Sequence, residues 1–303
     1  MVRFPTSAPI RLVLLDAFDT LVTPRSAPHL QYAAVAREHG LQVSDDDVKT
    51  AFKQAFRSTS EQHPNYGLQT NIASPDEWWK QVIQRTFAPH LHSQVTAEQY
   101  DRCIESLSSR LVTRFGTNEA YHLFPDVVPT LQQLSHFGAS NNLPITMALA
   151  TNSDPRILSV LKSFNLDRFL QLDVHATATA PSTTAAALQP PPTLSYFEKC
   201  AKPDPRFFHA AVRRASSPSA QLEPANVLYV GDQLHEDFWG AADAGLQAAW
   251  LQRPATLHSN QPYQQVLKDR SSQQELQYAR QRTIPSLSSL VDIVTQSHTR
   301  FFE

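Results

Sequence analysis

The sequence has little cysteine and no excess of basic residues, and these two shortages exclude several classes of protein. Only two cysteines occur in 303 residues, at positions 103 and 200, so neither a disulfide framework nor a zinc-ligand spacing can be built. With 26 Lys+Arg against 28 Asp+Glu, the chain lacks the basic surplus that is typical of nucleic-acid-binding proteins. We therefore expect no nucleic-acid partner and a reducing compartment, the cytoplasm, with the nucleus as an alternative.

Long apolar runs are also missing. No run approaches the roughly 18 consecutive apolar residues of a membrane span, and the N-terminal stretch MVRFPTSAPIR lacks the apolar core of a signal peptide. We expect no membrane partner, and the sequence carries no signal for the oligomeric state. Apolar residues nevertheless make up 41% of the chain, which is sufficient for a sizeable core in one large or two modest domains.

Two different patterns divide the chain. Residues 26–116 are a series of helical segments, each preceded by a capping residue, namely Ser44, Ser74 and Thr96. After residue 124, helical segments alternate with short apolar strands such as ITMALATNS, NVLYVGD and AAWLQR, and IRLVLL is an earlier strand of the same kind. The alternation predicts an α/β fold with a Rossmann-like parallel sheet and helices on both faces, formed by residues 1–25 and 117–303. Residues 26–116 are then an all-helical insert after the first strand.

Two segments interrupt the alternation. Residues 176–195 are rich in Ala, Thr and Pro, and we expect a surface insertion there that adds little to the core. Residues 259–282 are rich in Gln and charge, which fits either an amphipathic helix or a loose excursion. Directly before the first of these segments, FLQLDV is predicted to be a further short strand.

Polar residues stand at the ends of the predicted strands. Four strands end in this way, at Asp16, at Thr151 with Asn152, at Asp173 and at Asp232. Ligands of open parallel sheets bind beyond the carboxyl ends of the strands, so we expect the first, second and fourth of these ends to meet at one site. Lys202 stands just before a helix start in KCAKPDPRFF and is a candidate for the same site.

These residue types are the ones that phosphoryl transfer requires. Asp16 offers a carboxylate nucleophile, and Asp232 and Asp237 in GDQLHED offer the hard oxygens that Mg²⁺ prefers. Lys202 and Thr151 offer donors for the oxygens of a phosphate group. Taken singly, each residue has a structural explanation as a turn or helix-capping residue, and only the combination favours catalysis.

The same four motifs, in this order, resemble those of the haloacid dehalogenase superfamily of hydrolases. They are the apolar strand followed by Asp16 and Thr20, the strand ending at Thr151, Lys202 in AKPDP, and GDQLHED. The insert at 26–116 takes the place of the helical cap of that superfamily. The stretches FRSTSEQHPNYG, EWWKQVIQRTF and DAFDTL are similar to one subgroup, that of haloacid dehalogenase-like hydrolase domain-containing protein 3 and the rhythmically expressed gene 2-like proteins.

The resemblance implies a phosphoric monoester hydrolase that depends on Mg²⁺ and acts on a small phosphate ester. Asp16 would form an aspartyl-phosphate, with Thr151 and Lys202 as further catalytic residues. The implied metal ligands are Asp16, Asp232 and the backbone carbonyl of Phe18, with Asp237 in support. Thr20 and Asn152 are the implied substrate-binding residues.

Phe18 departs from the pattern of the superfamily's phosphatases. They carry a second aspartate at this position, which protonates the leaving group and later activates water, and a phenylalanine side chain does neither. Asp19, the next residue, is expected to point away from the leaving group. Two alternatives therefore stay open. One is a 2-haloacid dehalogenase, which has an aromatic residue at this position but no use for the acidic pair of GDQLHED. The other is a non-catalytic protein that keeps the site as a ligand pocket.

Overall fold

The chain divides into two compact units. The computed structural model describes residues 4–140, 145–176, 189–216, 221–253 and 272–302. The first unit takes in residues 1–23, 123–153 and 164–303, and the second takes in residues 24–122 and 154–163, as far as they are described. The predicted helical insert, 26–116, falls within the second unit, which also contains residues 117–122 and 154–163.

Six parallel strands form the sheet of the first unit. They are β1 (Leu12–Leu15), β4 (Thr146–Thr151), β5 (Thr193–Leu194), β6 (Val227–Gly231), β7 (Gln247–Leu251) and β8 (Thr283–Ile284). Their order is β5-β4-β1-β6-β7-β8, so β1 is central between β4 and β6. Leu15 stands in register with Leu149 on one side and Val230 on the other. The predicted α/β class with a parallel sheet is confirmed.

Helices flank this sheet, which explains why its central strands are apolar along their whole length. All residues of β1, β6 and β7 are buried, as expected for strands covered on both faces. Leu12, Leu14 and Tyr229 belong to one apolar cluster with side chains of three helices, α8 (Pro205–Ala215), α9 (Gly240–Asp243) and α10 (Gln273–Gln281). The other helices of this unit are α5 (Val127–Ser140), α7 (Ser195–Glu198) and α11 (Ser289–Phe302).

The predicted strand at FLQLDV is wrong, and the predicted surface insertion at 176–195 is wrong for its last residues. FLQLDV contains no strand, because Leu170 is its only buried residue, and Asp173 is an exposed turn residue whose Oδ1 accepts the N–H of His175 at 2.9 Å. The strand that pairs with β4 is instead β5, inside the segment predicted to be a surface insertion. Thr193 and Leu194 are each only 1% exposed, because they extend the sheet. Residues 177–188 of that segment lie outside the described residues.

The second unit is helical, as predicted. Its helices are α1 (Pro28–Glu38), α2 (Asp45–Gln62), α3 (Pro75–Gln94), α4 (Ala97–Phe115) and α6 (Arg156–Ser163). Ser44 and Ser74 accept the backbone N–H three residues on, and Thr96 forms a full capping box with Gln99. Two short strands, β2 (Val22–Pro24) and β3 (Tyr121–Leu123), pair with each other where the chain passes between the units. Across the described ranges, no helix has both the length and the apolar character needed to cross a membrane.

The role of β5 as a core strand can be tested at Leu194, which pairs with Thr151 of β4. We expect Leu194→Ala to lower the melting temperature by about 5 °C or more, because it leaves a cavity beside the sheet. Phe197→Ala is the matched control, since that side chain is 38% exposed, and it should cost much less. Equal, small shifts for both variants would show that residues 193–194 behave as a surface segment.

Candidate active site

Asp16 directly follows β1 and is fixed by the strand beside it and by a tight loop. Its N–H donates to the carbonyl of Val230 in β6 at 2.9 Å, so the hydrogen-bonding ladder continues through it. The loop then closes on itself, because the N–H groups of Leu21 and Val22 both donate to the carbonyl of Ala17, at 2.8 and 3.0 Å. The Asp16 carboxylate is consequently placed at the carboxyl end of the central strand, where it is only 6% exposed.

Lys202 holds Asp16 and Asp237 together. Its Nζ donates to Asp16 Oδ1 at 2.7 Å, to Asp237 Oδ1 at 2.5 Å and to the hydroxyl of Tyr229 at 2.8 Å. The Lys202 side chain is 3% exposed. An ammonium group has three N–H donors, so these three acceptors satisfy it completely.

A π-helix brings Asp232 and Asp237 to the same place. The helix spans Leu234–Trp239 directly after the end of β6, and within it the N–H of Phe238 donates to the carbonyl of Gln233, five residues back, at 3.2 Å. Asp232 directly follows β6 and Asp237 lies within the π-helix, so the turn between them brings the two carboxylates together. Gly231 is required beneath them, because a Cβ at this residue would collide with the Asp237 carboxylate.

The three carboxylates form a cluster that fits a divalent cation. Asp16, Asp232 and Asp237 each offer an oxygen, and these oxygens lie within 4.8 Å of one another. Both oxygens of Asp237 accept hydrogen bonds, because Oδ1 accepts from Lys202 and Oδ2 accepts the N–H of Gln233 at 2.9 Å. Asp232 accepts the Gln233 side-chain amide through Oδ2 at 2.5 Å, and its other oxygen accepts no hydrogen bond within the described residues. Asp16 and Asp232 therefore have the oxygens most available to a hard ion such as Mg²⁺.

Burial and mutual repulsion raise the pKa values of two of these carboxyl groups, those of Asp16 and Asp232. Burial raises the pKa of Asp16 to about 6, with the charge of Lys202 opposing the shift and that of Asp237 adding to it. Burial, and then the charges of Asp237 and Asp16, raise the pKa of Asp232 to about 8. Burial alone would lower the pKa of Lys202, but the attraction of Asp16 and Asp237 outweighs burial and raises it. The cluster thus holds more negative charge than its one ammonium neutralises.

Thr151 and Asn152, at the end of β4, reach two different parts of the site. Thr151 is buried, and its hydroxyl hydrogen-bonds the Asp16 carboxylate, which favours the charged form. Asn152 clamps the main chain of Lys202: its Oδ1 accepts the Lys202 N–H at 2.8 Å and its Nδ2 donates to the Lys202 carbonyl at 3.0 Å. Its Nδ2 also donates to Glu236 Oε2 at 3.1 Å. In this structure the Asn152 amide therefore positions Lys202, and its predicted contact with substrate stays a prediction.

The side chains of the loop after Asp16 differ in burial and in hydrogen bonding. Thr20 is fully buried, and its hydroxyl has no hydrogen-bond partner within the described residues, so its predicted contact with substrate stays a prediction. Phe18 is half-buried and forms a β-bridge with Val22. Asp19 is exposed in the left-handed region at φ 54°, which aspartate tolerates, and its Oδ1 accepts the Thr23 hydroxyl at 2.7 Å.

Tyr229 is a member of the site that is absent from the residues predicted from the sequence. Within NVLYVGD it has the place of an apolar strand residue. The available signal was its hydroxyl, because a tyrosine in a strand buried on both faces needs a hydrogen-bond partner inside the protein. That partner is the Lys202 ammonium.

Comparisons with known proteins agree with the fold and the motifs. Residues 10–245 match the family model described as haloacid dehalogenase-like hydrolase. Haloacid dehalogenase-like hydrolase domain-containing protein 3 of Bos taurus is 27% identical over 93% of this chain and 92% of its own length. A crystal structure of 2-haloacid dehalogenase from Pseudomonas syringae covers 95% of this chain and 99% of its own at 17% identity and a TM-score of 0.53. A HAD-hydrolase of Bacillus subtilis, solved bound to magnesium, covers 95% of this chain and 99% of its own at 15% identity and a TM-score of 0.52. At these identities the two solved structures bear on the fold alone.

The raised pKa of Asp232 predicts how the stability of the metal-free protein changes with pH. A carboxyl group whose pKa rises from 3.8 to about 8 on folding stabilises the fold only while it is protonated, so stability is lost as pH rises through this range. We expect Asp232→Asn to melt a few degrees above the wild type at pH 8.5 in EDTA, with the difference shrinking towards pH 4. The partial exposure of Asp232 moderates the effect.

Melting curves across this pH range, with EDTA throughout, make the measurement. Asp173→Asn is the control, since it also removes one carboxylate but from an exposed turn. A wild type that is as stable as Asp232→Asn at pH 8.5 would show that the cluster imposes no charge repulsion.

Proposed function

The chain belongs to the haloacid dehalogenase-like hydrolases, and we propose that within this family it is a Mg²⁺-dependent phosphatase that hydrolyses a small phosphate ester through Asp16. One observation carries the proposal. Asp16, Asp232 and Asp237 offer oxygens within 4.8 Å of one another, and Lys202 is hydrogen-bonded to two of them. Such a concentration of buried carboxylates is unfavourable by itself and is typical of a cation site.

The proposed reaction has two displacements at phosphorus. In the first, an Asp16 carboxylate oxygen attacks phosphorus, the bond from phosphorus to the ester oxygen breaks, and that oxygen leaves with the bonding electrons. In the second, the oxygen of a water molecule attacks the aspartyl-phosphate, which gives inorganic phosphate and restores the Asp16 carboxylate. Lys202 and the Thr151 hydroxyl, which both contact Asp16, support its charged form against burial.

The remaining residues have roles around these displacements. When bound, Mg²⁺ supplies positive charge that reduces the repulsion between a carboxylate and a phosphate dianion. Asp16 and Asp232 would hold it, with Asp237 in support and the Phe18 carbonyl as a further ligand. The positive charge of Lys202 would lie beside the equatorial oxygens of the phosphoryl group, and Lys202 or Thr151 would donate to these oxygens by exchanging one of its present hydrogen bonds. Asn152 would hold Lys202 in position through its two hydrogen bonds to the Lys202 main chain.

The dehalogenase alternative is favoured by one residue, Phe18, which occupies the position of the missing acid. Attack on carbon with halide as the leaving group needs no proton donor, so a phenylalanine would be compatible with that chemistry. Such an enzyme would not need three carboxylates in close contact, and this is why we prefer the phosphatase. A non-catalytic ligand-binding protein is the third candidate.

Turnover on two substrate types separates these candidates. We expect phosphate release from p-nitrophenyl phosphate only with Mg²⁺ present, no halide release from 2-chloropropionate, and loss of at least about 10³-fold in Asp16→Asn because the nucleophile is gone. Asp173→Asn should keep full activity. Halide release without Mg²⁺ would establish the dehalogenase. If neither substrate reacts while inorganic phosphate binds in calorimetry, the chain is a binding protein.

Phe18 predicts a selective weakness of the proposed phosphatase. An aryl phosphate leaves as a stable anion, whereas an alkyl phosphate needs a proton on its leaving oxygen. General acid catalysis is worth about 10²–10⁴-fold, so alkyl phosphates should be poorer substrates by about that factor. Phe18→Asp should therefore raise the alkyl rate much more than the aryl rate.

Asp19→Asn is the matched variant for this test, because it changes the neighbouring carboxylate that is held by Thr23. We expect it to leave the ratio of alkyl to aryl rates almost unchanged. Fast hydrolysis of alkyl phosphates by the wild type, abolished in Asp19→Asn, would identify Asp19 as the acid and contradict our interpretation of Phe18.

A further inference from the structure

The Tyr229 side chain links three parts of the first unit. Its Cα belongs to β6, while its hydroxyl lies 2.7 Å from the carbonyl oxygen of Ala150 in β4, so the side chain extends past the central strand between them. The same hydroxyl lies 2.8 Å from Lys202 Nζ and 3.2 Å from Asp237 Oδ1. Tyr229 is completely buried, and the ring of Phe208 packs edge-on against it at 5.1 Å between centroids.

The chemistry of these groups fixes the direction of each hydrogen bond. The Ala150 carbonyl and the Asp237 carboxylate only accept, so the single O–H of Tyr229 donates to them, and the shorter of these contacts is the one to Ala150 at 2.7 Å. An ammonium only donates, so Lys202 donates to a lone pair of the Tyr229 oxygen. The hydroxyl is therefore held by β4 with a lone pair facing Nζ, and it is a preformed acceptor for the ammonium.

This acceptor determines how the ammonium is rotated. Once one N–H points at Tyr229, the tetrahedral geometry of Nζ directs the other two, and these are the bonds to Asp16 and Asp237. A phenylalanine would fill the same space in the apolar cluster around β6. It would leave one N–H of a buried cation without a partner, which is costly. The hydroxyl is the part of Tyr229 that packing alone does not explain.

We propose that Tyr229 is a positioning residue whose hydroxyl orients the Lys202 ammonium between Asp16 and Asp237. It acts through Lys202 and does not contact the reacting atoms. The effect on turnover rests on the proposed phosphatase function, whereas the orientation of the ammonium is a property of the folded protein whatever its substrate. The two consequences can accordingly be measured separately.

The first experiment observes the ammonium directly. Lys202 is the one buried lysine among the described residues, so in protein labelled with ¹⁵N-lysine its NH₃⁺ group should give a signal protected from exchange with solvent. We expect exchange of this signal to be at least about tenfold faster in Tyr229→Phe, because one N–H loses its acceptor. Phe208→Leu is the matched control, since it loosens the packing beneath Tyr229 but leaves the hydroxyl, and it should keep the protection. Unchanged exchange in Tyr229→Phe would overturn the proposal.

The second experiment measures kcat and KM with p-nitrophenyl phosphate and Mg²⁺. Hydrogen bonds to charged groups have strengths that correspond to about a 10- to 100-fold change, so kcat should fall by about that factor in Tyr229→Phe. KM should change less, because the hydroxyl does not contact substrate. Phe208→Leu should lower the melting temperature at least as much as Tyr229→Phe does, but its kcat should stay within about threefold of the wild-type value. Equal loss of kcat in both variants would mean that Tyr229 is merely structural and would overturn the proposal. A wild type without any turnover would refute the proposed function, and the exchange measurement would then decide the role of Tyr229.

Discussion

The arrangement of the candidate site depends on one interaction, the buried ammonium of Lys202 shared by Asp16 and Asp237. Three carboxylates whose oxygens lie within 4.8 Å would repel one another strongly in a poorly hydrated place. Lys202 neutralises part of this charge and leaves about two negative units, which is the charge that a divalent cation supplies with opposite sign. Without a cation, burial favours a proton on Asp232, as its raised pKa indicates. The same local field therefore accounts for the buried lysine, the raised carboxyl pKa values and the fit to Mg²⁺.

Every element near this ammonium contributes to holding it. Asp16, at the end of β1, supplies one carboxylate, and Asp237, in the π-helix after β6, supplies the other. Asn152, directly after β4, binds the main chain of Lys202 through its side-chain amide. Breaking one member of a buried ion pair is far more costly than losing an exposed pair, because the remaining charge stays desolvated. The strands that meet here are consequently constrained by the site as well as by their apolar packing. Gly231 illustrates the constraint, since the Asp237 carboxylate occupies the space that a side chain would need.

The sequence was sufficient to predict this convergence but not its details. Asp16 and Asp232 were predictable because the carboxyl ends of parallel strands meet, whereas Lys202 was predictable only in combination with the other motifs. β5 was not predictable, since two strand residues within a Thr- and Pro-rich stretch leave no periodic pattern, whereas FLQLDV has an apolar pattern but buries only Leu170. The roles of Asn152 and Tyr229 depend on hydrogen bonds to residues 50 and 27 positions away, which no local pattern encodes. Sequence patterns report burial and strand ends well, and they report long-range polar contacts poorly.

The loop after Asp16 explains how this site differs from one with its own proton donor. The loop closes on the Ala17 carbonyl, leaves Phe18 half-buried and directs the Asp19 carboxylate to the Thr23 hydroxyl. Within the described part of the chain, Lys202 and Thr151 donate hydrogen bonds to the Asp16 carboxylate. In the proposed phosphatase these groups act on the nucleophile, whereas the Phe18 side chain has no proton to give to the leaving oxygen. Under this proposal hydrolysis is limited by the stability of the departing anion, so selection among substrates begins with the pKa of the leaving group before the shape of the substrate is considered.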